Sequence, residues 1–169
     1  MSVLKPKLIV QAGAQLDDWG TPAEVLDFVR LTCGPITLDL ASNATANKLV
    51  KAKRFFSVEN PCPSAFTKMP AGTVVWCNPP GPVAEVRRFW DIWQGCIVNS
   101  RASVQGAFLI FNLDHLRALS HPRVAYEVVF WRKRLRFVGA PSQYNHPSAL
   151  VMLTHSGVGL EHGPVMGWM

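Results

Sequence analysis

Apolar and polar positions change period several times along the chain, and each change marks an element. Val25, Phe28, Val29 and Thr32 recur at the spacing of one helix face, and Gly34-Pro35 stops that helix. Ahead of it, Thr21-Pro22 supplies a cap and a first-turn proline, with Glu24 near the positive end of the helix dipole. Residues 36–40 (Ile-Thr-Leu-Asp-Leu) read as a strand that carries Asp39 toward its end, and small residues then lead into a helix predicted through Lys53. Residues 72–77 are almost unbroken apolar, the pattern of a central parallel strand covered on both faces. That run passes directly into Asn78-Pro79-Pro80-Gly81. A helix is predicted from about Pro82 to Val98. Val83, Val86, Phe89, Trp90, Trp93 and Ile97 form its buried stripe, and Glu85, Arg87, Arg88 and Asp91 its wet flank. Later strands are predicted over residues 106–111, 124–131, 134–138 and 149–154.

Strands that alternate with helices, followed by strands in succession, imply an α/β domain. Its sheet should be mostly parallel, with antiparallel pairing near the carboxyl end. A length of 169 residues fits one such domain with one core. Residues 1–18 are expected as an N-terminal extension, 19–155 as the domain, and 156–169 as a loose C-terminal tail able to tuck Trp168 against the body. The longest apolar runs, 106–111 and 149–153, fall far below the ~20 residues of a membrane span. Met1 to Val10 has no apolar core of signal-peptide length. A soluble, cytoplasmic protein with no membrane partner is expected. Sheets of this class bind ligands outside the carboxyl ends of their strands, where Asp39 and Asn78 stand.

Composition narrows the function classes. Hydrophobic residues make up 49% and charged ones 17%, which excludes a disordered chain. Seventeen basic against eleven acidic residues give a net charge of +6, favouring a polyanionic partner. Cys33, Cys62, Cys77 and Cys96 form no Cys-x-x-Cys pair, and the five histidines have no metal-ligand spacing, so reduced thiols and no metal are expected. If residues 131–137 are extended, Arg132, Arg134 and Arg136 share one face and Trp131, Leu135 and Phe137 the other. Lys133 falls on the apolar side and marks a break or turn. The arginine row suits phosphate contact with DNA, whereas Lys48, Lys51, Lys53 and Arg54 read as a solvated helix face.

The chemistry lies in Asn78-Pro79-Pro80. The exocyclic amine of adenine donates its lone pair into the ring and is a poor nucleophile. Two fixed hydrogen-bond acceptors can favour a tetrahedral nitrogen and aim that lone pair at a sulfonium methyl. The Asn78 side-chain carbonyl and the Pro79 backbone carbonyl are two such acceptors, and Pro79-Pro80 stiffens the loop before a base arrives.

From Trp19 to Leu153 the chain resembles the phage and prophage DNA N-6-adenine-methyltransferase family. The resemblance is carried by Trp19-x-Thr21-Pro22; Leu38-Asp39-Leu40-Ala41-Ser42 with Asn47; Phe55-Phe56-Ser57; Val75-Trp76-Cys77-Asn78-Pro79-Pro80; and Arg134-Leu135-Arg136-Phe137. It implies a single-domain Rossmann-like methyltransferase fold, S-adenosylmethionine as cofactor, adenine in DNA as substrate and a bacterial host cell. By the same resemblance, Thr21 and Pro22 lie beside the methionine end of the cofactor, with Trp19 among its contacts. Asp39 meets the amino or ribose groups, and Ala41 and Ser42 replace a Gly-rich loop. Asn78, Pro79 and Pro80 form the catalytic loop. Two departures follow. The family's tyrosine after the two prolines is Gly81 here, at a cost in base stacking of ~1–3 kcal/mol unless another ring, such as Tyr144, substitutes. The family's acid before the Asn-Pro-Pro strand is also missing; Glu59 is the nearest. Two alternatives stay open: a degenerate module of this fold that binds nucleic acid or protein without catalysis, and an amino-methyltransferase with another acceptor, cytosine or a glutamine side chain.

Overall fold

The computed structural model describes residues 19–66, 68–100, 104–123, 126–154 and 166–168. Its strands are β1 (Leu38–Asp39), β2 (Arg54–Phe55), β3 (Thr73–Cys77), β4 (Val104–Ile110), β5 (Glu127–Phe130), β6 (Ala149–Leu153) and β7 (Met166–Trp168). Three helices, α1 (Ala23–Cys33), α2 (Ala44–Val50) and α3 (Val83–Ser100), and a 3-10 segment, Leu113–Ala118, complete the elements. The strands form one sheet in the order β2-β1-β3-β4-β6-β5-β7. The β1–β2, β1–β3, β3–β4 and β5–β7 pairings are parallel, and β6 is antiparallel to both β4 and β5. The fold is therefore α/β with a mixed sheet, mostly parallel and antiparallel toward the carboxyl end. No helix among the described residues is long and apolar enough to cross a membrane.

Burial explains the central elements. Every residue of β3 is buried, as its apolar run demands. The α3 stripe puts Val86, Phe89, Trp90, Trp93 and Ile97 into the core. Trp90 and Trp93 stack at 5.5 Å and 20°, and each meets Phe108 of β4 edge-on. Gly106 permits this close approach: a Cβ there would stand 2.7 Å from the Val75 carbonyl and 3.0 Å from the Trp93 indole nitrogen.

Several expectations are corrected. Val83 is 43% exposed, because the stripe begins only where α3 meets the sheet. Thr21 does not cap α1; Pro22 holds the N-cap position without a side-chain cap, and the Thr21 hydroxyl is used elsewhere. The helix predicted through Lys53 ends at Val50, where Lys51 turns left-handed at φ 54° and the Asn47 side chain bonds both the Ala52 N–H and its carbonyl. That early stop frees Arg54 and Phe55 to become β2, an unpredicted strand. The chain bends at Arg132 and Lys133, as the misplaced lysine suggested. Beyond the bend, residues 134–138 are no strand; they alternate in burial but make one bridge, Val138 to Gly20. The tail is not merely loose, since Met166–Trp168 pair with β5. The predicted 124–131 strand is formed over Glu127–Phe130; its first two residues lie outside the described set, as does the whole of the expected N-terminal extension. Cys33, Cys77 and Cys96 are buried free thiols and Cys62 is half-buried.

Candidate functional site

Parallel pairing sets the carboxyl ends of β1, β2, β3 and β4 along one edge of the sheet. From β1 the chain steps to β2 on one side and then returns across β1 to β3 on the other, so the crossovers run in opposite directions there. Such a divergence opens a crevice above the strand ends. A cavity of about 460 Å³ occupies it, within the ~300–1,000 Å³ of small-molecule sites.

Of the residues singled out by sequence, Trp19, Thr21, Asp39, Ala41, Ser42, Asn78, Pro79 and Pro80 line this cavity. Pro22 and Glu59 do not. Pro22 is buried at the start of α1, and Glu59 is exposed, its carboxylate accepting from the Ser57 hydroxyl at 2.7 Å. Arg132, Arg134 and Arg136 are exposed and outside the cavity.

Asn78 is held by its side-chain amide. Its Nδ2 donates to the Thr21 Oγ1 at 3.2 Å, across 57 positions of chain. This is what Thr21 does in place of capping a helix. Because the amide nitrogen is the anchored end, the carbonyl Oδ1 is the end left for a ligand.

Asp39 is 1% exposed at the end of β1. Its Oδ1 accepts from the Ala41 N–H at 3.1 Å. Burial pushes its carboxyl up to about 7, while the Ala41 N–H and the nearby Ser42 hydroxyl pull the other way. The helix cap that Asp39 could have provided is made by Asn43, whose side chain accepts from the Thr45 and Ala46 N–H groups. The loop around Asp39 is sewn to β2 by bonds from Ser42 N–H to the Phe56 carbonyl and from Phe56 N–H to the Asp39 carbonyl. Two buried polar atoms on the same wall, Ser42 Oγ and Trp76 Nε1, complete no hydrogen bond of good geometry.

Other lining residues were not foreseen as site residues. Glu85 and Arg88, expected as a wet helix flank, line the cavity from the first turns of α3, paired at 2.8 Å, with the Arg88 guanidinium over the Phe89 ring at 4.2 Å. Cys62 lines it too, its thiol pushed up to about 11 mainly by burial, which makes it a poor nucleophile. On the opposite side Phe111 and Phe137, also unforeseen, stand beside Trp19 and Tyr144, which the sequence had singled out. Phe111 directly follows β4, a strand-end position like those of Asp39 and Asn78, but in sequence it is the last residue of an apolar run and carries no polar signal.

No protein-family model, curated protein or solved structure matches the chain. What the site can do follows from its own geometry. Among the described residues, no group of three or more His, Cys, Asp or Glu comes together to hold a metal ion.

Proposed function

We propose that the protein is a Rossmann-like methyltransferase that moves a methyl group from S-adenosylmethionine to the exocyclic amino group of adenine in DNA. The observation that carries this reading is the anchored Asn78 amide, whose carbonyl end stands on the wall of a strand-end cavity that also holds the buried carboxylate of Asp39.

The residues present fit the cofactor. It carries hydroxyl and amino donors, and Asp39 offers a buried acceptor whose charge burial disfavours, so donors arriving there would restore what desolvation has removed. Ser42 Oγ, close enough to Asp39 to pull its carboxyl down, completes no hydrogen bond of good geometry on the same wall. Asp39, Ala41 and Ser42 would hold it, with Thr21 and Asn78 at the reacting end. When bound, S-adenosylmethionine supplies an electrophilic methyl carbon on a sulfonium.

The chain's own part is positioning. Asn78 Oδ1 and the Pro79 carbonyl accept from the two amine protons, drawing the nitrogen lone pair out of the ring. When bound, the cofactor would supply the methyl and keep the carbon–sulfur electron pair, while Asn78 Oδ1 and the Pro79 carbonyl hold the amine whose surplus proton would pass to solvent. The target base is extruded or single-stranded. Arg132, Arg134 and Arg136, exposed on the segment that leads to Phe137 at the cavity, would contact DNA phosphates. The setting is the cytoplasm of a bacterial host, with the enzyme encoded by a phage or prophage.

Calorimetric titration with S-adenosylmethionine, together with labelled methyl transfer to unmethylated DNA, tests the reading. Asn78→Ala should reduce transfer by a hundredfold or more, roughly the loss of a positioned transition-state partner, while cofactor affinity stays within a few fold. Nucleoside analysis separates adenine from cytosine as acceptor. Cofactor binding without transfer would leave a non-catalytic binding module, and absence of cofactor binding would remove the proposal.

A further inference from the structure

An extruded base needs a flat partner, and the loop at Asn78-Pro79-Pro80-Gly81 carries no ring. Because β1 and β4 flank β3 on opposite sides, Asp39 and Asn78 mark one side of the cavity, and the end of β4 marks the other. On that second side Phe111 meets the Tyr144 ring at 5.8 Å, Tyr144 meets Phe137 edge-on at 5.8 Å and Trp19 edge-on at 6.4 Å, and Trp19 lies over Phe137 at 6.4 Å and 28°. All four rings line the same cavity as Asn78. Phe111 and Phe137 are buried behind, whereas Trp19 and Tyr144 are only half-buried and keep free surface.

The cluster is fastened by backbone. Gly20 and Val138 exchange N–H to carbonyl bonds of 2.9 and 2.8 Å, which sets Trp19 beside Phe137. The Tyr144 N–H donates to the Leu135 carbonyl at 2.8 Å. The Ser148 hydroxyl donates to the Phe111 carbonyl at 2.9 Å. These rings therefore need no ordering when a ligand arrives, which lowers the entropy cost of capture.

We infer that Trp19 and Tyr144 form the stacking surface for the target purine, with Phe111 and Phe137 as its backing, in place of a ring next to the prolines. The inference deepens the methyltransferase reading and rests on it for the identity of the base. Base–aromatic stacking tolerates every base. Selection of an amino-bearing base then falls to the two carbonyls at Asn78 and Pro79, which accept from an amine and reject a ring carbonyl.

The test uses the full chain and a short single-stranded oligonucleotide of thymines with one central 2-aminopurine, whose emission is quenched on stacking. Wild type should quench it saturably. Tyr144→Leu, which keeps bulk but not the ring, should weaken binding roughly tenfold or more and remove most of the quench. Tyr144→Phe should retain both, and Trp19→Phe should retain most of the quench. S-adenosylmethionine titrations of the Tyr144 variants should stay within about twofold of wild type. Equal quenching by Tyr144→Leu, by Trp19→Leu and by wild type would overturn the inference while leaving the methyltransferase reading standing. Ring-dependent quenching in a protein that fails to bind S-adenosylmethionine would support the stacking surface and sink that reading instead.

Discussion

The two sides of Asn78 are built differently. Toward β1 and β2 the cavity wall comes largely from residues 39–46 and from the 56–62 loop sewn to them, and it sets one buried carboxylate, Asn43 and the hydroxyls of Ser42 and Ser57 among apolar side chains that include Leu40, Val50 and Phe56. Toward β4 it comes from four separated segments, contributing Trp19, Phe111, Phe137 and Tyr144, and it is aromatic. The first wall is made by local turns, the second by tertiary docking. A polar donor-rich ligand suits the first and a flat π-system the second, so the division of chemistry follows the division of construction.

The largest expected effect is on the polar side. Asp39→Asn removes a carboxylate acceptor and should weaken S-adenosylmethionine by about 1.5–3 kcal/mol, the value of hydrogen bonds to a charged group. The same change should stabilise the protein at pH 8. Asp39 holds its proton to about 7 in the folded chain against an ordinary value of 3.8, so its contribution is fully present below 3.8 and is lost as pH rises through 7. The Asn variant has no such loss. Its melting temperature should exceed that of wild type by a margin that grows from pH 4 to pH 8, corresponding to a few kcal/mol, roughly, at the upper end. In wild type, cofactor affinity should climb with pH up to about 7 and then level, because donors favour the ionised carboxylate; an affinity independent of pH would detach Asp39 from the cofactor.

A smaller effect lies at the junction of the two walls. Thr21→Val keeps shape but leaves the Asn78 amide unanchored, and the lost hydrogen bond is worth about 1 kcal/mol. Turnover should fall by about fivefold with cofactor affinity nearly unchanged, and Thr21→Ser should restore it. A fall in cofactor affinity instead would move Thr21 from positioning Asn78 to binding the cofactor.

The smallest effect is expected outside both walls. Arg134→Ala and Arg136→Ala should each lower the slope of log affinity for DNA against log salt by about 1, with affinity loss uniform across sequences. An unchanged slope would return these side chains to ordinary solvation.

How readable each wall was in the bare chain follows from the same contrast. Strand β3, helix α3 and the polar strand ends at Asp39 and Asn78 showed in apolar period and position, because burial acts on consecutive residues. The polar wall was readable for that reason. Strand β2 was not, since two residues carry no period, and its pairing depends on where α2 stops. The role of Thr21 was misread because a threonine before a proline at a helix start is a good cap on local grounds, and only tertiary docking brings Asn78 within reach. The aromatic wall was nearly silent. Tyr144 could be suspected from its loop, but nothing local ties Trp19 to Phe137 or Phe111 to Tyr144. Glu59 was proposed as the nearest acid in sequence, and it stands outside the cavity because the loop turns it to solvent.

The bridge between Gly20 and Val138 has a consequence for when the protein becomes competent. A chain emerging from the ribosome displays Asn78 and both prolines well before Val138 has been made, and the ring beside Trp19 does not exist until then. Assembly waits on contacts between segments far apart in the polypeptide, the kind whose loop-closure cost slows folding. Truncated or half-folded forms would carry the whole signature tripeptide and still lack the second wall.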